Sequence, residues 1–192
     1  MYSTKLIIVM GLCVGGIGAQ NASFQDLLDL LNTTLKIYVY ATSYMMYRLP
    51  NEVTCLYYLK LYLQEMFFRV DVNYNVGSQR YSKEVTGVLR NDTPTGDPVM
   101  QPYSWPGPFP FAPRHLKYYD KKNHCGVFLL NVTGQTHCEL HIWETGIKKE
   151  DNFYSVRKIC LRSYNIFCGG EKPMVIMYTS NCDKNETRYG SY

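Results

Sequence analysis

Residues 66 to 74 show the pattern that governs most of this chain: Phe68, Val70, Val72 and Tyr74 alternate with Phe67, Arg69, Asp71 and Asn73. Alternation at period two over four cycles predicts a strand with one apolar and one more polar face. Leu35 to Thr42 and Thr54 to Leu61 are β-branched and aromatic and read as strands, with a turn at Pro50-Asn51 between them. Lys83 to Arg90 is a weaker strand pattern. His115 to Asp120, Cys125 to Asn131, Thr136 to Trp143 and Pro173 to Tyr178 follow, and Val132-Thr-Gly-Gln135 joins the second and third of these as a hairpin.

Two segments carry helical spacing instead. Phe24, Leu27, Leu28 and Leu31 recur at three and four residues behind Ser23, with Asp26 placed to complete a capping box. Phe153, Val156, Cys160 and Tyr164 mark a second helix over Asp151 to Cys168, stopped by Gly169-Gly170. Between Thr93 and Pro113 the pattern breaks: seven prolines surround Trp105 and other aromatic residues, which predicts a lid or irregular connection and no central strand. Seven or eight short antiparallel strands with a helix at each end predict a small up-and-down β-barrel. A β-sandwich of the immunoglobulin type fits less well, because its Cys…Trp…Cys core spacing is missing and a helix after the last hairpin is foreign to it.

Composition sharpens the class. Met1 to Ala19 has the parts of a cleavable signal peptide: Lys5, the apolar run Leu6 to Val14, and small residues at Gly16-Ile-Gly-Ala19. That run is too short to span a bilayer, so residues 20–192 are expected to be one secreted, soluble domain. Five sequons, at Asn21, Asn32, Asn91, Asn131 and Asn185, fit a secretory route. The formal net charge is +4, part of it from Lys5 in the leader, and is too weak and scattered for a nucleic-acid surface. The 18 tyrosines against 2 tryptophans suit half-buried strands and walls that must offer a hydroxyl. Beyond Cys13 in the leader, Cys55, Cys125, Cys138, Cys160, Cys168 and Cys182 form an even set, which in a secreted chain reads as a disulfide framework with fifteen possible pairings.

His124-Cys125-Gly-Val-Phe128, then Cys138-Glu-Leu-His-Ile-Trp143, Cys160, Tyr164, Cys168-Gly169 and a strand ending near Cys182 form a series whose order and spacing resemble the salivary lipocalins of ticks, the family of the histamine-binding proteins. With the short acidic helix and the Cys55 strand at the start, the resemblance runs over nearly the whole mature chain. It implies an eight-stranded antiparallel lipocalin barrel and the pairings Cys55–Cys182 and Cys125–Cys160, which leaves Cys138–Cys168. It also implies a protein that sequesters a small host mediator; a monomer is expected, with no cofactor, no nucleic-acid or membrane partner and no catalysis. Two features depart from the family. No Gly-x-Trp occurs near residues 33 to 42, and the amine-binding pattern of Cys-Asp/Glu-Val and Glu-Leu-Trp/Tyr reads here with Gly126 and His141.

An amine pocket needs a carboxylate for the ammonium and aromatic faces for the rest of the cation. By alternation Glu139, His141 and Trp143 share one face of their strand, and Asp71 and Glu84 are further candidate acids. Tyr38 and Tyr40, with Tyr57, Phe68 and Tyr74, are candidate wall residues. Histamine or serotonin is the leading ligand class, at one site because Gly126 removes the second acid. An eicosanoid is the alternative, held by Arg69, Arg90 or a lysine, and a third reading is a protein-binding inhibitor using Pro98 to Pro113. His137 and His141, four apart on a strand, stand roughly 13 Å from each other, too far for one metal ion. No nucleophile elbow, zinc-protease helix or phosphate loop is present.

Overall fold

The computed structural model describes residues 21–45, 47–48, 51–105, 109–148, 153–170 and 172–182; the leader and Asn185 lie outside them. In chain order the elements are α1 (Phe24–Leu31), β1 (Ile37–Thr42), β2 (Tyr47–Arg48), β3 (Asn51–Gln64), β4 (Phe67–Val76), β5 (Gln79–Asn91) and β6 (Pro98–Pro102). Then follow β7 (Arg114–Asp120), β8 (Cys125–Val132), β9 (Gln135–Trp143), α2 (Glu144–Lys148), α3 (Phe153–Cys168) and β10 (Val175–Ile176). The sheet runs β1-β9-β8-β7-β6-β5-β4-β3, every pair antiparallel, and closes where Ile37 and Tyr38 of β1 meet Tyr58 and Tyr57 of β3. Eight strands therefore form a closed antiparallel barrel, while β2 and β10 are two-residue additions.

One connection differs from the expectation. Pro98–Pro102, inside the proline-rich stretch, is a barrel strand. Its prolines sit only at its two ends, where a missing donor is tolerated, and Val99 and Met100 between them are buried. It aligns five residues with β5 but only two with β7, a ladder as short as the one that closes the barrel between β1 and β3.

Alternation sorts the side chains into two cores. Phe68, Val70, Val72 and Tyr74 point into the barrel with Val85, Leu89, Leu116, Phe128 and Tyr58. Outside the wall, Tyr38, Tyr40, Tyr57, Val127, Leu140 and Ile142 form a second layer beneath α3 and the C-terminal segment. Each such side chain contributes roughly 1.5–3 kcal/mol when fully buried. All three disulfides lie in this outer layer: Cys55–Cys182, Cys125–Cys160 and Cys138–Cys168. They fasten the tail and α3 to the barrel wall and leave the interior free of disulfides. Cys55 sits at a register shift of β3 with φ of 55°, and its amide donates to the carbonyl of Met177 at 2.8 Å.

Helix α1 closes one end of the barrel. Ser23 caps it: Asp26 N–H donates to Ser23 Oγ at 3.2 Å and Ser23 N–H to the Asp26 carboxylate at 2.8 Å. Leu27, Leu30 and Leu31 are buried, and Trp143 Nε1 donates to the Leu30 carbonyl at 2.9 Å. Leu30 lies where a side chain at Gly126 would have to go, since a Cβ there would stand 2.7 Å from its Cδ2 and 3.0 Å from Leu116 Cδ1. No helix among the described residues is long and apolar enough to cross a membrane. Asn21, Asn32, Asn91 and Asn131 are all exposed.

Candidate functional site

The inward face of β9 places Glu139 and His141 in the barrel, both 1% exposed. Across from them β7 begins at Arg114, which follows Pro113 and points inward in alternation with Leu116. Arg114 is also 1% exposed, and its fork meets the carboxylate squarely: Nε donates to Glu139 Oε2 at 2.8 Å and Nη2 to Oε1 at 3.1 Å. A two-pronged pair of this kind adds geometric specificity to two charge-assisted hydrogen bonds. Arg114 also donates from Nη1 to the Ala112 carbonyl at 3.1 Å, and its guanidinium lies 4.2 Å from the centre of the Trp105 ring.

The remaining lone pairs of Glu139 are occupied as well. Tyr44 donates its hydroxyl to Oε1, and His141 Nε2 stands 2.9 Å from Oε2. Because a carboxylate only accepts, Nε2 carries the proton; a neutral ring then leaves Nδ1 as an acceptor, and Tyr58 Oη donates to it at 2.9 Å. Burial alone would raise the Glu139 pKa, but the Arg114 charge and the His141 hydrogen bond overcome it and hold the carboxyl well below its usual range. Burial, with the Arg114 charge behind it, pushes His141 down, so its ring stays neutral. Burial first, then the Glu139 charge, pushes the Tyr58 and Tyr44 hydroxyls up, which keeps them protonated donors. The group is thus one cation, one anion and three neutral partners.

Above this cluster, Trp105 and Phe109, both between β6 and β7, cover the mouth. Trp105 lies on Arg114, and Phe109, buried, meets Tyr74 edge-on at 4.9 Å. Trp105 Nε1 is itself buried and has no hydrogen-bond partner among the described residues. Below the cluster Val72, Val85, Leu89, Leu116 and Phe128 are fully buried against one another.

Neither a family model nor a curated protein sequence matches this chain. Solved structures do. One is AM182 in its serotonin complex, with a TM-score of 0.59 at 15% identity over 81% of this chain and 91% of that one. Another is Japanin from Rhipicephalus appendiculatus bound to cholesterol, with a TM-score of 0.53 at 12% identity over 79% of this chain and 97% of that one. The chain shares the fold of both.

The other candidate residues lie elsewhere. Trp143 shares the inward face but stands at the α1 end, stacked 4.0 Å from the His124 ring. Asp71 is on the outer face, taking hydrogen bonds from Ser82 and, at 2.9 Å, from Asn73. Glu84 is exposed and pairs with Arg69 at 3.5 Å, and Arg90 pairs with Asp92 at 3.5 Å, so neither arginine serves the interior. Phe68 and Tyr74 line the barrel, whereas Tyr38, Tyr40 and Tyr57 belong to the outer layer; Tyr38 packs on Tyr57 and Tyr178 at 5.3 and 5.0 Å. Both faces of β1 are buried, so apolarity could not tell which one faces inward. Arg114, Tyr44 and Tyr58 are the members that sequence reasoning missed. Arg114 lies one residue before the predicted strand His115 to Asp120 and arginines are seldom buried; its alternation with Leu116 is the signal that would have found it. Among the described residues, no three His, Cys, Asp or Glu side chains converge to hold a metal ion.

Proposed function

We propose that this chain is a secreted, non-catalytic carrier of the tick salivary lipocalin type that sequesters a small mediator of the host. Its ligand enters through the mouth under Trp105 and Phe109 and sets its polar end against the Arg114–Glu139–His141 cluster. The observation that carries the reading is a charge-balanced polar cluster inside an apolar barrel, directly beneath an aromatic cover. Solved proteins of the same fold hold serotonin in one case and cholesterol in another, which supports a small ligand as the partner.

Charge balance selects within that class. A cationic ligand would leave Arg114 without its anion, and an anionic one would add a second negative charge beside Glu139. Either imbalance in a desolvated site is costly. An uncharged molecule with an apolar body and a hydroxyl or carbonyl oxygen disturbs neither. The buried, unpartnered Trp105 Nε1 donor is matched by such an oxygen. Because the inward side chains are packed on one another, space for the body is made by withdrawal of Phe109 and Trp105 from the mouth. Under this reading the biogenic amine takes second place, and an eicosanoid finds no unpaired interior cation among the described residues.

Calorimetric titration of the secreted protein with an uncharged sterol, a long-chain eicosanoid and serotonin tests the reading. Saturable one-to-one binding of the sterol, at least about tenfold tighter than either charged ligand, is the expected result. Absence of any saturable small ligand would transfer the function to the outer surface, where Tyr103 and Phe111 of the proline-rich connection are exposed.

A further inference from the structure

We infer that Arg114 is the tethered occupant of an amine site and the residue that keeps small cations out of the barrel. Its guanidinium has every partner that an ammonium ligand would seek. It holds both Glu139 oxygens, at 2.8 and 3.1 Å, and rests on an indole face at 4.2 Å. The hydroxyl of Tyr44 donates to the same carboxylate. A carboxylate, an aromatic face and a phenol around one positive charge are the recognition chemistry of a primary or aromatic amine. Here the positive charge belongs to the protein.

The tether decides the competition. Arg114 starts β7 and its backbone is fixed by pairing with Met100, so the guanidinium meets Glu139 as an intramolecular partner with a high effective concentration. A free amine must drive it off, and the displaced Arg114 would remain buried without an anion, because Glu139 is the only acidic side chain within salt-bridge reach of it among the described residues. The carbonyls of Ala112 and Pro110, at 3.1 and 3.5 Å, hold the far side of the fork and oppose its withdrawal. Truncation at position 114 would leave the carboxylate, the indole face and the Tyr44 hydroxyl around the volume that the side chain now fills.

This inference rests on the barrel being the ligand site, and the experiment separates the two. Parent protein, Arg114→Ala and Arg114→Ala/Glu139→Gln are titrated with tryptamine and histamine by calorimetry, and their melting temperatures are followed with and without amine. Arg114→Ala is expected to bind an amine about 30-fold or more tighter than the parent, and to gain melting temperature with amine concentration. The double variant, which lacks the carboxylate charge, is expected to lose that response while keeping the fold, since no buried charge is left unpaired. If Arg114→Ala folds only when refolded with amine, the same conclusion holds. Equal amine affinity in the parent and Arg114→Ala would overturn the inference. So would a folded Arg114→Ala that responds to amine no more than the double variant, or a parent that binds tryptamine below about 10 µM. Sterol binding by the parent is scored separately: its absence strikes the proposed function and leaves the amine result standing on its own.

Discussion

Glu139 and Arg114 are each 1% exposed, so the account depends on their mutual compensation. Removing one partner strands the other charge. Glu139→Gln is expected to destabilise the fold by about 3–5 kcal/mol, measured by urea unfolding at neutral pH. Glu139→Gln combined with Arg114→Met should be far milder than either single change, because it removes the pair together. Equal, additive losses would mean that the two side chains do not act as a pair. Acid should reveal the same cluster. Unfolded His141 takes up a proton below about pH 6.5 while the buried folded ring resists it, so stability falls as pH drops through that range. The depressed Glu139 pKa adds a second loss, beginning as pH falls below about 4.3, where the unfolded carboxylate starts to bind protons that the folded one refuses. Urea midpoints at pH 7.5, 5.5 and 3.5 should decline in that order, and His141→Gln should flatten the first step. A midpoint that rises from pH 7.5 to 5.5 would contradict a neutral His141.

Elements set which residues meet, and α1 shows how far the sequence carried. Its cap at Ser23 and its helical spacing follow from local pattern, but the stripe of Phe24, Leu27, Leu28 and Leu31 omits Leu30, which the structure buries with Leu27 and Leu31 against the barrel end while Phe24 and Leu28 stay half-buried. What it covers was not legible, because the partner, Gly126, is defined by a missing side chain. Gly126→Asp would press a carboxylate into Leu30 and Leu116 at the sealed end. A loss of at least about 2 kcal/mol is expected, with faster hydrogen exchange confined to Ala22 to Leu31 at first. Unchanged exchange there would show that α1 does not depend on that contact. The strand β6 was hidden for the opposite reason: prolines at both ends masked two buried residues between them. On β9 the two-residue period alone put Glu139 and His141 on one face, and only the closed barrel shows that this face is the inner one.

The whole molecule is a closed barrel with a second core on its outside, stapled by three disulfides. The barrel class was readable from strand count and alternation. The cysteine pairing came from the family resemblance, since spacing alone leaves fifteen choices. The site was readable in part: the acid and the imidazole could be named from one strand, but their partner cation sits 25 residues away on another, beyond any local signal. Entry of a small uncharged ligand under the aromatic cover can be followed by tryptophan fluorescence during a sterol titration. The chain has only two tryptophans, Trp105 at the mouth and Trp143 at the sealed end. The expected result is an emission change that saturates at one equivalent and disappears in Trp105→Phe, while calorimetry still records binding to that variant. Saturable binding that leaves Trp105 emission unchanged, or a signal that survives in Trp105→Phe, would contradict it.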